Sequence, residues 1–261
     1  MKKILTLLSA FIFLINSSIY SQESNIDEFN YEVEEVKTES QSYFSIGAAY
    51  TANFNFINFD DVNLINKKFG FDNFKSPMFS NGFEIKTGTV LFKNFNVGFF
   101  SYSGLIQKNT DTSINSTNYK RTSNFSAENL GLLLEYSFVP LKSLAISPGV
   151  QIGFGKIGVE YSQSPEKVNY NELQSQPTTN SFYNSFEKSF LNIEPKLSIE
   201  YAVTTFLMFR VTTSYNISID NPISGGNWTY NGASEITNMP ENINLQNFNL
   251  QLGIFVGLMN F

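Results

Sequence analysis

Apolar and polar residues alternate singly along most of this chain, in runs longer than an ordinary globular strand. In residues 42–56, SYFSIGAAYTANFNF, one face takes Phe44, Ile46, Ala48, Tyr50, Ala52, Phe54 and Phe56, and the other Ser45, Gly47, Ala49, Thr51, Asn53 and Asn55. Successive strand side chains point to opposite sides, so a period of two predicts a strand with one greasy and one polar face. Seven more strands follow from the same pattern: 82–91, 95–107, 125–138, 144–161, one containing 191–201, 205–219 and 248–258. Three interruptions read as β-bulges. The stretch 95–107 has aromatics on both faces, the apolar parity slips between Phe154 and Ile157 around Gly155, and the last strand changes parity near Leu258.

The connections alternate too. Short ones fall near Asn94, Leu141 and Thr204, and long polar ones span 57–81, 108–124, 162–183 and 220–244. Short turns on one side and long loops on the other, over an even number of antiparallel strands, are the layout of a barrel crossing an outer membrane. Both ends of the barrel then lie on the short-turn side.

Residue size decides which face is inside. Eight strands close around an interior that side chains just fill. The polar face is also the small one, carrying Gly47, Gly88, Gly131, Gly149, Gly153, Gly253 and Gly257, whereas the apolar face carries Phe, Leu, Ile and Tyr. The bulky face therefore points out to lipid, the reverse of a soluble ligand-holding barrel. This reading absorbs the 27 Phe of the chain. Tyr136, Phe138, Tyr201 and Phe206 on the turn side, with Phe54, Phe56, Tyr161 and Tyr215 toward the loops, are expected as two aromatic girdles. The fold class is all-β, an eight-stranded antiparallel up-and-down transmembrane β-barrel with a polar, filled lumen.

The opening MKKILTLLSAFIFLINSSIYSQ has a basic start, a short apolar run and small residues near Ser21, the pattern of a secretory signal peptide over 1–21. Residues 22–41 are acidic and aperiodic and are expected to be a periplasmic segment; 42–261 make the barrel. Beyond the signal, no apolar run is long enough for a spanning helix, in keeping with a mean hydropathy of -0.14. The chain has no Cys and no His, which excludes thiolate chemistry and imidazole-based triads or metal sites. A net charge of -6 argues against nucleic acid as a partner.

In these features residues 42–261 resemble the small eight-stranded outer-membrane barrels of the OmpA/OmpX type, and more particularly the outer-membrane β-barrel proteins of Bacteroidetes-like bacteria. The resemblance is architectural, resting on strand pattern, loop asymmetry, the signal peptide and terminal Phe261. It departs from the family's C-terminal assembly signal in that Gly257 shares the parity of Phe261 and Met259. Barrel enzymes that resemble this architecture generally depend on His, so no enzymatic activity, catalytic residue or cofactor is expected.

The polar face carries charges at similar depth: Glu84, Lys86, Glu135, Glu194, Lys196, Glu200 and Arg210. In so narrow a space unpaired charge is costly, so salt bridges between the four glutamates and the three cations are expected. That ionic layer reads either as a plug fixing strand register or as an ion-conducting path. Interleaved cations weigh against glycosidase-like use of the carboxylates. Asp60, Asp61 and Asp72 lack the spacing of a calcium loop. Trp228 and Tyr230, in the Gly-rich stretch SGGNWTYNG, read as a surface pair for a protein or glycan, or as packing on a neighbouring loop. The functional expectation is a barrel with an envelope-structural, adhesive or partner-binding role through its outer loops. The alternatives are a narrow channel for small or hydrophobic solutes, and an accessory barrel of an export machine docking through 22–41.

Overall fold

The computed structural model describes residues 43–89, 92–169, 171, 180–220, 227–237, 239 and 246–260. The expected signal peptide, the acidic segment 22–41 and Phe261 lie outside them. In chain order the elements are β1 (Phe44–Phe56), α1 (Asp60–Phe69), β2 (Met78–Gly88), β3 (Phe95–Ile114), β4 (Thr117–Tyr136), β5 (Phe138–Leu141) and β6 (Leu144–Pro165). They continue with β7 (Phe182–Ala202), β8 (Leu207–Asp220), β9 (Thr229–Tyr230), β10 (Ser234–Glu235) and β11 (Asn247–Asn260). Eight of them, β1, β2, β3, β4, β6, β7, β8 and β11, form a closed antiparallel ring. The seam is β1 on β11, from Phe44↔Asn260 to Phe56↔Phe248. Short β5 runs beside β6, and the β9–β10 hairpin leans on β7 at Phe186↔Tyr230.

The outer face is apolar over the lower part of the ring. Phe44, Ile46, Tyr50, Ile85, Leu132, Phe138, Ile199, Phe209 and Val256 all stand out to solvent-accessible space. On the fourth stave the ladder runs from Leu130 to Phe138, about the 9–11 residues that a tilted strand needs to cross hydrocarbon. An exposed ring of Phe, Leu and Ile of this extent is stable only in lipid. Of the expected girdle, Tyr136, Phe138, Tyr201, Phe206, Phe56 and Tyr215 are exposed on this surface. Tyr161 is not; it is fully buried inside.

Tyr161 belongs to a second pattern that the alternation hid. Strand β6 pairs without a register break against both β4 and β7, so no bulge exists at Gly155. What changes there is the chemistry of each face. Below Gly155 the outward residues are Val150, Ile152 and Phe154, and the inward ones Gly149, Gln151 and Gly153. Above it the outward residues are Lys156 and Glu160, and the inward ones Ile157, Val159 and Tyr161. Neighbouring β4 inverts at the same level, since Leu130 pairs with Phe154 and Glu128 with Lys156. Gly155 faces Phe190, and a Cβ there would lie 2.2 Å from that ring. The glycine makes room for the first large aromatic of an inner core, and the parity slip marks where the outward face turns from apolar to charged.

The other two suspected bulges are also absent. Strand β3 keeps register with β2 and β4, because Phe99 faces out while Phe100 is buried in the lumen against Tyr102, ring centroids 5.1 Å apart. Strand β11 pairs regularly through Leu258. The expected loop 108–124 is instead mostly strand: β3 and β4 extend to a two-residue turn at Asn115 and Ser116, both with positive φ as such hairpins require.

The first long loop contains α1. Asp60 and Asp61 sit in its first turn and Lys67 and Lys68 in its last, matching the helix dipole. Gly70 caps it in the left-handed region at φ 71°. Val62, Ile65 and Asn66 point down onto Phe125, Ile157, Val159, Tyr161 and Phe186, so the helix lids an apolar core inside the upper ring. Arg121 of β4 donates to the carbonyls of Phe69 (2.6 Å) and Gly70 (2.9 Å), pinning the lid to the wall.

Candidate functional site in the barrel lumen

The structure brings Glu84, Lys86, Glu135, Lys196, Glu200 and Arg210 together in one buried layer, from strands β2, β4, β7 and β8. Cross-strand glycines supply the room. Glu135 pairs with Gly149, which pairs on its other side with Lys196, and Arg210 pairs with Gly253. A Cβ on Gly149 would sit 2.7 Å from Glu135 Cγ.

Arg210 is the hub. Its guanidinium contacts Glu84 at 2.9 Å and Glu200 at 3.4 Å, and makes its closest ion pair with Glu135. Lys196 bridges Glu135 (3.3 Å) and Glu84 (3.5 Å), and Lys86 bridges Glu200 and Glu135. Neutral donors surround Glu84: Gln151 and Gln251 each donate to it at 3.0 Å, and the Tyr102 hydroxyl donates to it too. Arg210 donates to Ser198 at 2.8 Å. Ions removed from water need partners of opposite charge; Glu84 has both ion pairs and hydrogen bonds, whereas Glu135 is held by its three cations alone.

Several members of the layer are not charged and escaped the sequence reading. Phe255 lies under Lys86 and Arg210, ring centroid 5.1 and 5.4 Å away, as a cation–π floor. Tyr43, the residue before β1, closes the turn side: its hydroxyl donates to Glu200 at 2.5 Å and accepts from Lys86 at 2.7 Å. The parity of Phe255 and Tyr43 with the polar face was the available signal. Their size argued against it.

Glu194 stands apart from the expected salt-bridge set. Among the described residues it has no cation within 4.0 Å and is held instead by Ser214, by Asn249 at 2.7 Å and by Asn192 at 3.4 Å. It borders a cavity of about 60 Å³ between the ionic layer and the apolar core. Asn53, Asn55, Asn129, Asn249, Gln251 and Tyr102 line its polar part, and Met78, Ile157 and Phe190 its apolar part. A water needs about 10–15 Å³ of such space, so this chamber holds a few.

Of the two readings of Trp228 and Tyr230, a surface pair or packing, the structure shows packing. Trp228 is buried in the inner core and Tyr230 packs against it, with the Tyr230 hydroxyl donating to Asn184 at 2.6 Å. The β9–β10 hairpin thus spends its aromatics on covering the core. Among the described residues no group of three or more acidic side chains is placed to hold a metal, Asp60, Asp61 and Asp72 included.

No family model matches the chain, and no curated protein matches it. Among solved structures, a major outer membrane protein from Thermus thermophilus aligns at 10% identity and TM-score 0.43, over 84% of this chain and 98% of that one. Ail, the attachment invasion locus protein of Yersinia pestis, aligns at 12% identity and TM-score 0.32, over 85% and 99%. CarO2 of Acinetobacter baumannii aligns at 10% identity and TM-score 0.33, over 82% and 99%.

Proposed function

We propose that this protein is a non-enzymatic outer-membrane barrel whose lumen is a structural plug and whose function is to hold out a stiff β-platform for binding a partner at the cell surface. The turn side, where Phe44 and Asn260 pair, faces the periplasm, and the tall side faces outward. The observation that carries this reading is the unequal height of the staves. Strands β3, β4, β6 and β7 run for 20, 20, 22 and 21 residues, roughly twice what the bilayer requires. Their upper parts form a sheet with a core of its own beneath α1. One edge of that sheet is covered by the β9–β10 hairpin. The other is open, because β2 stops pairing with β3 at Gly104 and, among the described residues, the rest of β3 to Ile114 has no strand partner on that side. Unpaired backbone groups on a fixed edge can accept an added strand from a protein partner.

A channel is disfavoured by two successive seals, the ionic layer and the apolar core. Docking through residues 22–41 concerns a segment outside the described residues. The test compares cells carrying wild type with cells carrying a barrel in which residues 107–124 are replaced by Asn-Gly. Loss of cell–cell or cell–surface attachment with retained heat-modifiable mobility supports the platform. Unchanged attachment together with ohmic conductance of the wild type in planar bilayers overturns it in favour of a pore.

A further inference from the structure

The outer wall carries a polar row at the height where it changes from apolar to charged. Asn81 of β2 pairs with Ser103 of β3, Ser103 with Glu128 of β4, and Glu128 with Lys156 of β6, so the four residues stand side by side around the ring. Apolar side chains lie on both sides of this row, Phe83 and Leu130 exposed below it and Phe79 and Leu105 exposed above it. Between them is a niche of about 480 Å³ lined by Asn81, Ser103, Ser126 and Glu128 as well as by Phe79 and Leu105. Small-molecule sites span about 300–1,000 Å³.

Among the described residues, the side chains of Asn81, Ser103, Ser126 and Glu128 make no hydrogen bond or ion pair. Lys156, across the ladder from Glu128, is held instead by Glu187 at 2.9 Å. The niche opens onto the same outward rows as the lipid-facing Phe83 and Leu130, so the molecules that reach it are lipids. Polar groups beside hydrocarbon have little water to bind, and a lipid head group is the partner at hand. Charge selects its type. Glu128 and Glu187 against Lys156 leave one carboxylate in excess, which repels an anionic head group and attracts an ammonium.

We propose that this niche is a binding site for one zwitterionic, amine-bearing phospholipid with a phosphoethanolamine head group. The ammonium has three N–H donors, which Glu128 and the hydroxyls of Ser103 and Ser126 accept. The phosphate lies toward Lys156, one strand away at about 4.8 Å, and the acyl chains run down over Phe83 and Leu130. The inference rests on the lower ring facing lipid.

The experiment refolds the mature protein into detergent micelles and first checks heat-modifiable mobility, so that the barrel stands or falls separately from the lipid site. Phosphatidylethanolamine, phosphatidylcholine or phosphatidylglycerol of identical acyl chains is then titrated in, and native mass spectrometry counts the lipids that stay bound. One phosphatidylethanolamine is expected to be retained about tenfold more tightly than either of the others, the worth of a hydrogen bond to a charged group. Phosphatidylcholine shares the net charge but has no N–H to donate. Glu128→Gln should abolish the preference, and Ser103→Leu, which fills the niche with hydrocarbon, should do the same if Glu128→Gln does not fold. Equal retention of the three lipids, a preference for either of the other two, or an unchanged preference in the variant overturns the proposal.

Discussion

The lower and upper halves of this barrel share the same strands, the same register and the same two-residue period, yet they assign their faces in opposite ways. Below Gly155 and Leu130 the bulky residues face out and the ions lie inside. Above that level Phe125, Val159 and Tyr161 are inside while Lys156 and Glu187 pair on the outer surface at 2.9 Å. Backbone geometry is indifferent to the exchange. The solvent outside each half sets the polarity, lipid below and water above, so one continuous sheet contains an inside-out segment joined to an ordinary soluble one.

The comparison breaks most readily at the hub. Arg210→Ala strips the partner from Glu84, Glu135 and Glu200 at once, and removal of one member of a buried ionic set costs about 3–5 kcal/mol. A large fall in the urea midpoint of the detergent-refolded barrel is expected. Arg210→Met, similar in volume but equally uncharged, should fare no better, which separates lost charge from lost packing. The upper half answers to a different deletion. Phe125→Ala empties the centre of the apolar core and should cost about 3–5 kcal/mol, read as early loss of protease resistance above the membrane. The heat-modifiable lower barrel should survive it.

A paired substitution sharpens the boundary. Leu132→Arg places a charge on the lipid face and should cost about 2–4 kcal/mol. Ser126→Arg sits on the same outward row of the same strand above the belt, and should change stability by less than about 0.5 kcal/mol. Equal costs would show that the polarity switch between Leu130 and Glu128 does not mark the membrane edge. The smallest effect is expected at the lid. Arg121→Gln loses charge-assisted bonds to the carbonyls closing α1 and the contact with the Phe71 ring at 4.2 Å, worth about 1 kcal/mol and visible as faster amide exchange in α1.

Much of the lower half was legible because lipid and a narrow lumen impose one rule on every stave. Period two located β1, β8 and β11, and the Gly-rich parity oriented them. It also put seven ionic residues in one layer, of which six meet there and Glu194 stands apart among Ser214, Asn249 and Asn192. The upper half was misread for a physical reason: an apolar parity slip is the signature of a bulge and equally of a change of solvent, and nothing local in FGKIGVEY distinguishes them. Residues 60–69 carried a helical signal, with Val62, Ile65 and Phe69 spaced on one side and Gly70 behind them, but polar neighbours masked it. The Gly-rich stretch around Trp228 left exposure and packing equally open, because the core it closes is assembled from four other strands and a helix.

The hub has a consequence for assembly. Its members at positions 84, 135, 200 and 210 come from distant parts of the chain, and Arg210 lies beside Gly253 of the final stave, which in turn zips to the first. Until that seam shuts, a partly built sheet entering hydrocarbon would turn bare carboxylates and an unshielded strand margin toward the acyl phase. Bilayer entry and circularisation must therefore happen as one coupled event, with the ion cluster becoming cheap to bury only in the last step.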